Sequence, residues 1–265
     1  MTAVSMALAK AKADGRAALI GYLPVGYPSV DVSIAGIRAM VAAGVDIVEV
    51  GVPYSDPVME GPVIQAAHDS AVRAGVGLDD ALRAVAAVAE AGAAAVIMSY
   101  WNPIERYGVD RFAAALANAG GSGAITPDLI PEEAGPWLAA TDEHGLDRIF
   151  LVAPSSTDAR IASTVAACRG FVYAASTMGV TGVRSQVSAT AERLVARVRA
   201  AAPEFPVGVG LGVSTADQAA EIAAYADAVI VGSAFVQRMP DSPDSGGVAA
   251  VGELAAELAG GVRRR

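Results

Sequence analysis

Two carboxylates carry the strongest suggestion of chemistry in this chain. Glu49 sits near the C-terminal end of the apolar run Val45–Val50, and Glu60 follows in a Pro/Gly/Ser/Asp loop just ahead of Pro62. An ionised carboxylate in a buried β-run is costly unless it is paired or protonated. The neighbouring apolar runs offer no obvious basic partner at their ends. Acids on a strand end and in the loop after it suit paired acid–base work. Glu60 has a plainer reading as an N-terminal helix acid, so residue type alone leaves its role open.

A second group is rich in glycine and hydroxyls and comes late. It comprises Thr181-Gly182, Gly210-Leu211-Gly212-Val213-Ser214 and Gly232-Ser233, each after an apolar run. Backbone amides in such loops, next to a helix N-terminus, can hold an anion. Lys and Arg are absent from these loops, so a phosphate there would be held by amides and dipoles. A third group is aromatic: Tyr22, Tyr100-Trp101-Asn102-Pro103 and Tyr173 stand at strand ends in a chain that is only 5% aromatic. Placed beside the acids, they predict a flat apolar pocket. His68, within a helix, and His144, at a helix end before Gly145, read as bystanders. No His/Cys/Asp cluster has metal-ligand spacing, so no metal is expected.

These groups need elements to position them. Eight strands are predicted: Ala17–Leu23, Val45–Val50, Ala93–Ser99, Gly123–Thr126, Arg148–Ala153, Phe171–Ala174, Val207–Gly210 and Ala228–Val231. Helices are predicted at Val30–Ala43, Pro62–Ala74, Leu78–Ala91, Val109–Ala119, Pro131–His144, Thr157–Ala167, Ala189–Ala201, Thr215–Ala223 and Val248–Leu258, and another within Met1–Asp14. Strands alternating with helices imply a parallel sheet, and continuously apolar strands imply one covered on both faces. Eight such units make a (β/α)8 TIM barrel, a single domain over 1–265 with an extra N-terminal helix. An open doubly wound sheet is the alternative, but no GxGxxG follows the first strand. In a barrel the active groups gather at the C-terminal ends of the strands, with phosphate often bound after strands seven and eight.

Composition narrows the partners. The net charge of −9, with no dense basic patch, argues against nucleic acid. The one cysteine, Cys168, excludes an intrachain disulfide framework and reads as a small buried residue near a helix end. No charge-free apolar stretch of about 20 residues is present, and the N-terminus has no signal pattern. A soluble cytoplasmic protein is expected.

The chain resembles the tryptophan synthase alpha chain family over nearly its whole length. The resemblance rests on Val48 to Pro62, Met98 to Pro103, Ile125 to Asp128, Gly179 to Gly182, Val209 to Ser214 and Val231 to Ala234. It implies a lyase of tryptophan biosynthesis that cleaves indole-3-glycerol phosphate reversibly to indole and glyceraldehyde 3-phosphate. Indole would pass to a beta chain, in an alpha2beta2 tetramer. This chain would need no cofactor, and pyridoxal phosphate would belong to the beta chain. Glu49 matches the acid/base position, Glu60 the carboxylate that accepts the indole N–H, and Tyr173 a tyrosine beside Glu49. Tyr22, Tyr100 and Ile125 match the indole pocket, while Gly182, Gly212, Gly232 and Ser233 match phosphate-binding positions. Pro53 and Asp56 match the partner-docking segment. One position departs: the second carboxylate is usually aspartate, and here it is Glu60. That change leaves room for an alpha-like chain that mainly docks on and activates the beta chain. A stand-alone, indole-releasing lyase is the other alternative.

Overall fold

The computed structural model describes residues 1–175, 184–210, 212–239 and 246–264, the side chains of 184–188 excepted. Its strands are β1 (Ala18–Pro24), β2 (Ile47–Gly51), β3 (Ala94–Met98), β4 (Gly123–Ile125), β5 (Asp147–Ile149), β6 (Leu151–Val152), β7 (Val172–Ala175), β8 (Val207–Gly210) and β9 (Ala228–Val231). All neighbours pair in parallel, in the order β5-β4-β3-β2-β1-β9-β8-β7-β6. The strand expected at 148–153 is broken at Phe150 into β5 and β6. β5 pairs with β4 and β6 with β7, so the two ends of the sheet meet at Phe150 and the barrel closes. There the Phe150 carbonyl accepts from the Tyr173 N–H at 3.1 Å. Counting that broken run once gives the eight strands expected.

The helices between strands are α2 (Val30–Ala42), α3 (Pro62–Arg73), α4 (Leu78–Glu90), α5 (Trp101–Tyr107), α6 (Val109–Asn118), α7 (Gly135–His144), α8 (Asp158–Ala167), α9 (Arg184–Ala201) and α10 (Ala216–Ala223); α1 (Ala3–Ala13) precedes β1, and α11 (Ser233–Val236) and α12 (Gly247–Val262) follow β9. Several begin on a local cap. The side chains of Thr2, Ser29, Thr157 and Thr215 accept the N–H three residues on, each such cap contributing about 1 kcal/mol. Two expectations need correction. α7 starts at Gly135 and not at Pro131, with Pro136 in its first turn. Tyr100–Pro103, placed at a strand end with no helix expected there, runs into α5, because Asp128 from a distant loop accepts the Trp101 N–H at 2.9 Å and so caps the helix.

Side chains alternate across each strand. Ile20, Ile47, Val96, Ile125, Ile149, Phe171 and Ile230 fill the barrel interior. Leu19, Val48, Ala95, Ala124, Val172, Val209 and Val229 belong instead to the larger core beneath the helices. Val4, Leu8 and Ala11 of α1 join the interior cluster together with Ala18, Ala94 and Ala228 at the strand starts. The extra helix is therefore the floor of the barrel, and the interior above it is a packed core with an open end at the strand C-termini.

Candidate active site

At that open end lies a cavity of about 250 Å³. Each strand delivers its residue by the same two-residue period. On β1, Tyr22 follows Ile20; on β2, Glu49 follows Ile47; on β3, Met98 follows Val96; on β7, Tyr173 follows Phe171. Tyr22, Glu49, Met98, Leu151, Tyr173 and Ile230 all line the cavity, with Glu60, Gly61 and Ile64 above β2 and Gly210, Gly212, Gly232 and Ser233 along the far wall. Two glycines make room for the tyrosines. A Cβ at Gly51 would stand 2.5 Å from the Tyr22 hydroxyl, and one at Gly210 would overlap the Tyr173 hydroxyl. A residue with any side chain at either point would push a ring out of the wall.

Glu49 is 1% exposed, and its Oε1 has no hydrogen-bond partner among the described residues. Tyr22 and Val96 are its register partners on the flanking strands, and neither can neutralise a charge. Burial therefore pushes its carboxyl up from 4.5 to about 8. Among the described residues lining the cavity there is no Lys or Arg. At neutral pH Glu49 is thus a protonated acid in an apolar mouth, able to give up its proton and take one back.

Glu60 is held differently. The Tyr100 hydroxyl donates to its Oε2 at 2.5 Å, and the same oxygen accepts from the Met59 N–H at 3.2 Å. Tyr100 accepts in turn from the Val58 and Met59 N–H groups at 2.8 and 3.0 Å, and its ring stacks on Tyr54 with centroids 4.8 Å apart. Burial, with the Glu60 contact second, raises the Tyr100 pKa well above 10 and keeps it a donor. Tyr22 and Tyr173 are raised too, by burial first and then by the nearby carboxylates.

The expected site residues fall into five sets. Tyr22, Glu49, Glu60, Tyr173, Gly210, Gly212, Gly232 and Ser233 meet at one cavity. Tyr100 is not on its surface; it anchors Glu60 from behind. Ile125, expected in the pocket wall, is fully buried in the interior cluster that Met98, Leu151 and Tyr173 cover. Thr181 and Gly182 lie outside the described residues. In the docking segment Asp56 is exposed and hydrogen-bonded to Ser55, whereas Pro53 is buried within the chain.

Sequence reasoning missed Met59, Ile64, Met98, Leu151 and Ile230 in the lining. Extending each strand's inward face by two residues would have found Met98 and Ile230. His68, read as a bystander within a helix, is 2% exposed and within 2.8 Å of the Tyr22 hydroxyl. Packing of α6 on α7 brings ligand atoms of Asp110, Glu143 and His144 within 4.8 Å of one another. That cluster is on the surface, where His144 pairs with Asp110 at 3.2 Å. A larger cavity, about 1040 Å³, opens under α1 at the other end of the barrel. Its charged groups are already partnered: Lys12 with Glu204, Arg16 with Asp46, Arg169 with Asp142, Arg199 with Asp227, and Asp147 with Thr2.

Comparison with known proteins agrees with this arrangement over the full length. Residues 8–259 match the family model described as "Tryptophan synthase alpha chain". The tryptophan synthase alpha chain of Acidothermus cellulolyticus is 65% identical over 264 residues, covering 100% of this chain and 98% of that protein. That of Thermobifida fusca is 63% identical, covering 99% and 98%. Among solved structures, tryptophan synthase of Mycobacterium tuberculosis superposes with a TM-score of 0.92 at 57% identity, covering 99% of this chain and 98% of that one. The alpha subunit of Legionella pneumophila gives 0.89 at 30% identity, covering 99% and 98%. With its barrel, its acid-bearing mouth and its relatives in accord, this chain belongs to the tryptophan synthase alpha chain family.

Proposed function

We propose that this chain cleaves indole-3-glycerol phosphate to indole and glyceraldehyde 3-phosphate. The observation that carries the reading is Glu49, a carboxyl held protonated at neutral pH at the mouth of the barrel. Indole is a poor carbanion leaving group until its C3 is protonated. In this reading Glu49 gives its proton to C3, and positive charge develops on the ring. Glu60 accepts the indole N–H and stabilises that charge. The glycerol hydroxyl then returns a proton to the Glu49 carboxylate as the carbon–carbon bond breaks. Its electrons restore the aromatic ring, the aldehyde forms, and Glu49 is protonated again. Tyr22, Met98 and Tyr173 supply apolar surface for the ring. Gly212, Gly232 and Ser233 suit the phosphate end, where backbone amides would replace the missing cations.

Indole would pass to a beta chain that carries pyridoxal phosphate, in an alpha2beta2 assembly, with Asp56 and the exposed Val58 on the docking side. One observation favours the second reading, an alpha-like chain that mainly activates its partner. Glu60 is already engaged by Tyr100 and Met59, and its extra methylene relative to aspartate shifts the carboxylate by about 1.5 Å. Indole release from indole-3-glycerol phosphate, measured with and without the beta chain, separates the two. Cleavage is expected in wild type and about 1,000-fold less in Glu49→Gln. Equal rates in both would remove Glu49 from the chemistry. A large gain in Glu60→Asp would mean that the native Glu60 is not compensated.

A further inference from the structure

His68 belongs to α3, two turns beyond Glu60, and faces the back of the site. Its Nε2 lies 2.8 Å from the Tyr22 hydroxyl. Tyr22, Glu60, His68 and Tyr100 border a space too small for a water, so solvent cannot replace a lost partner there. The direction of the bond follows from the surroundings. Tyr22 faces Glu60, Glu49, Tyr100 and Tyr173, and burial together with those carboxylates keeps its phenol protonated. His68 faces Glu60 and Asp69, yet burial outweighs them and the Tyr54 backbone and lowers its pKa, so the ring is neutral. A neutral imidazole can bond a phenol in either direction; the Tyr54 backbone, which favours a proton on the ring, supports the arrangement in which His68 keeps its proton on Nδ1 and accepts from the phenol at Nε2.

A phenol proton committed to His68 is not available to the carboxylates. Tyr22 is the register partner of Glu49, and a hydroxyl donated to a carboxylate favours the charged form. We infer that His68 is a positioning residue, which turns the Tyr22 hydroxyl away from Glu49 and Glu60 so that Tyr22 meets the substrate with its ring alone. This rests on the cleavage reaction proposed above. Without His68, the freed hydroxyl would turn to Glu49 and hold it in its ionised form, or to Glu60 and compete with the indole N–H for its oxygens.

The test compares His68→Leu with His68→Gln in the full chain, reading kcat and KM for indole release from indole-3-glycerol phosphate across pH. Leu cannot accept a hydrogen bond, whereas the Gln amide oxygen reaches roughly where Nε2 stands. For His68→Leu, kcat should fall about tenfold, the scale of one hydrogen bond. KM should change less than about threefold, and the high-pH limb of kcat should move to lower pH. His68→Gln should recover most of both. A folded His68→Leu protein, judged by thermal melting, with wild-type kcat and pH limb would overturn the inference. So would a His68→Gln protein as impaired as His68→Leu. Wild type that releases no indole would instead overturn the proposed function, and the role of His68 with it.

Discussion

The two ends of this barrel hold the same kinds of residue and use them in opposite ways. At the floor, Asp46 accepts both Arg16 Nη atoms at 2.7 and 2.8 Å and the Leu19 N–H at 2.8 Å. Asp147, nearly as buried as Glu49, accepts from the Thr2 hydroxyl at 2.6 Å; burial raises its pKa, and that bond with the nearby Arg169 and Arg148 offsets part of the rise. At the mouth, Glu49 shares its cavity with tyrosines, aliphatic side chains, Met98, Glu60 and Ser233, and no Lys or Arg is among the described residues that line it. The floor cavity is about four times the larger, at roughly 1040 against 250 Å³. What marks the working end is therefore a carboxyl left without a counter-charge, not the size of the opening. A paired acid ties two elements together; an unpaired one keeps its proton and can spend it on a substrate.

The comparison can be broken by exchanging the two states. The largest effect belongs to Glu49→Gln. Because the folded-state pKa lies near 8 and the ordinary value is 4.5, the native chain binds a proton between those values that the unfolded chain does not. Wild-type stability therefore falls as pH rises from about 4.5 to about 8, and the amide removes that dependence. At ~1.4 kcal/mol per pKa unit, Glu49→Gln should be more stable than wild type by up to about 5 kcal/mol at pH 9. Urea unfolding at pH 9 and pH 5 checks this, and a difference that does not shrink toward pH 5 would mean that Glu49 ionises freely. Asp46→Ala should do the reverse at the floor, stranding Arg16 and the Leu19 N–H and costing about 3 kcal/mol at neutral pH. Indole release per folded molecule should stay at the wild-type rate, and a parallel loss of activity would show that the two ends are coupled. Leu8→Ala sharpens the apolar side of the contrast. Truncating a side chain packed into the barrel interior should cost about 2 kcal/mol, read as a lower midpoint in the same titration, again with activity retained.

How much of this was legible beforehand varies by residue, and the reason is range. β8 and β9 are found at their expected bounds because Val207–Gly210 and Ala228–Val231 are short apolar runs fenced by turn residues. Glu49 was legible because a charged residue in an apolar run is anomalous in any fold that buries the run. Gly210, Gly212, Gly232 and Ser233 were legible because the barrel rule assigns every strand end to one address. The bond that sets Tyr100 behind Glu60 was not legible, since it spans 40 residues. α5 was hidden because its cap, Asp128, sits 27 residues away. His68 was invisible as a functional residue, since a histidine on an amphipathic helix looks alike whether it meets solvent or a buried phenol.

The sequence by itself determined the parallel alternation of strands and helices, the unit count of eight, and Glu49 as an acid out of place, since each follows from local periodicity or an anomalous residue; Glu60 joined it only through the family resemblance. Only the tertiary structure decided that α1 closes the floor, that the barrel seam lies at Phe150, and that Asp147 is paired while Glu49 is not. Those outcomes depend on which distant side chains come within a few ångströms of one another. For a buried carboxyl, that proximity separates a structural pair from an acid with a proton to give.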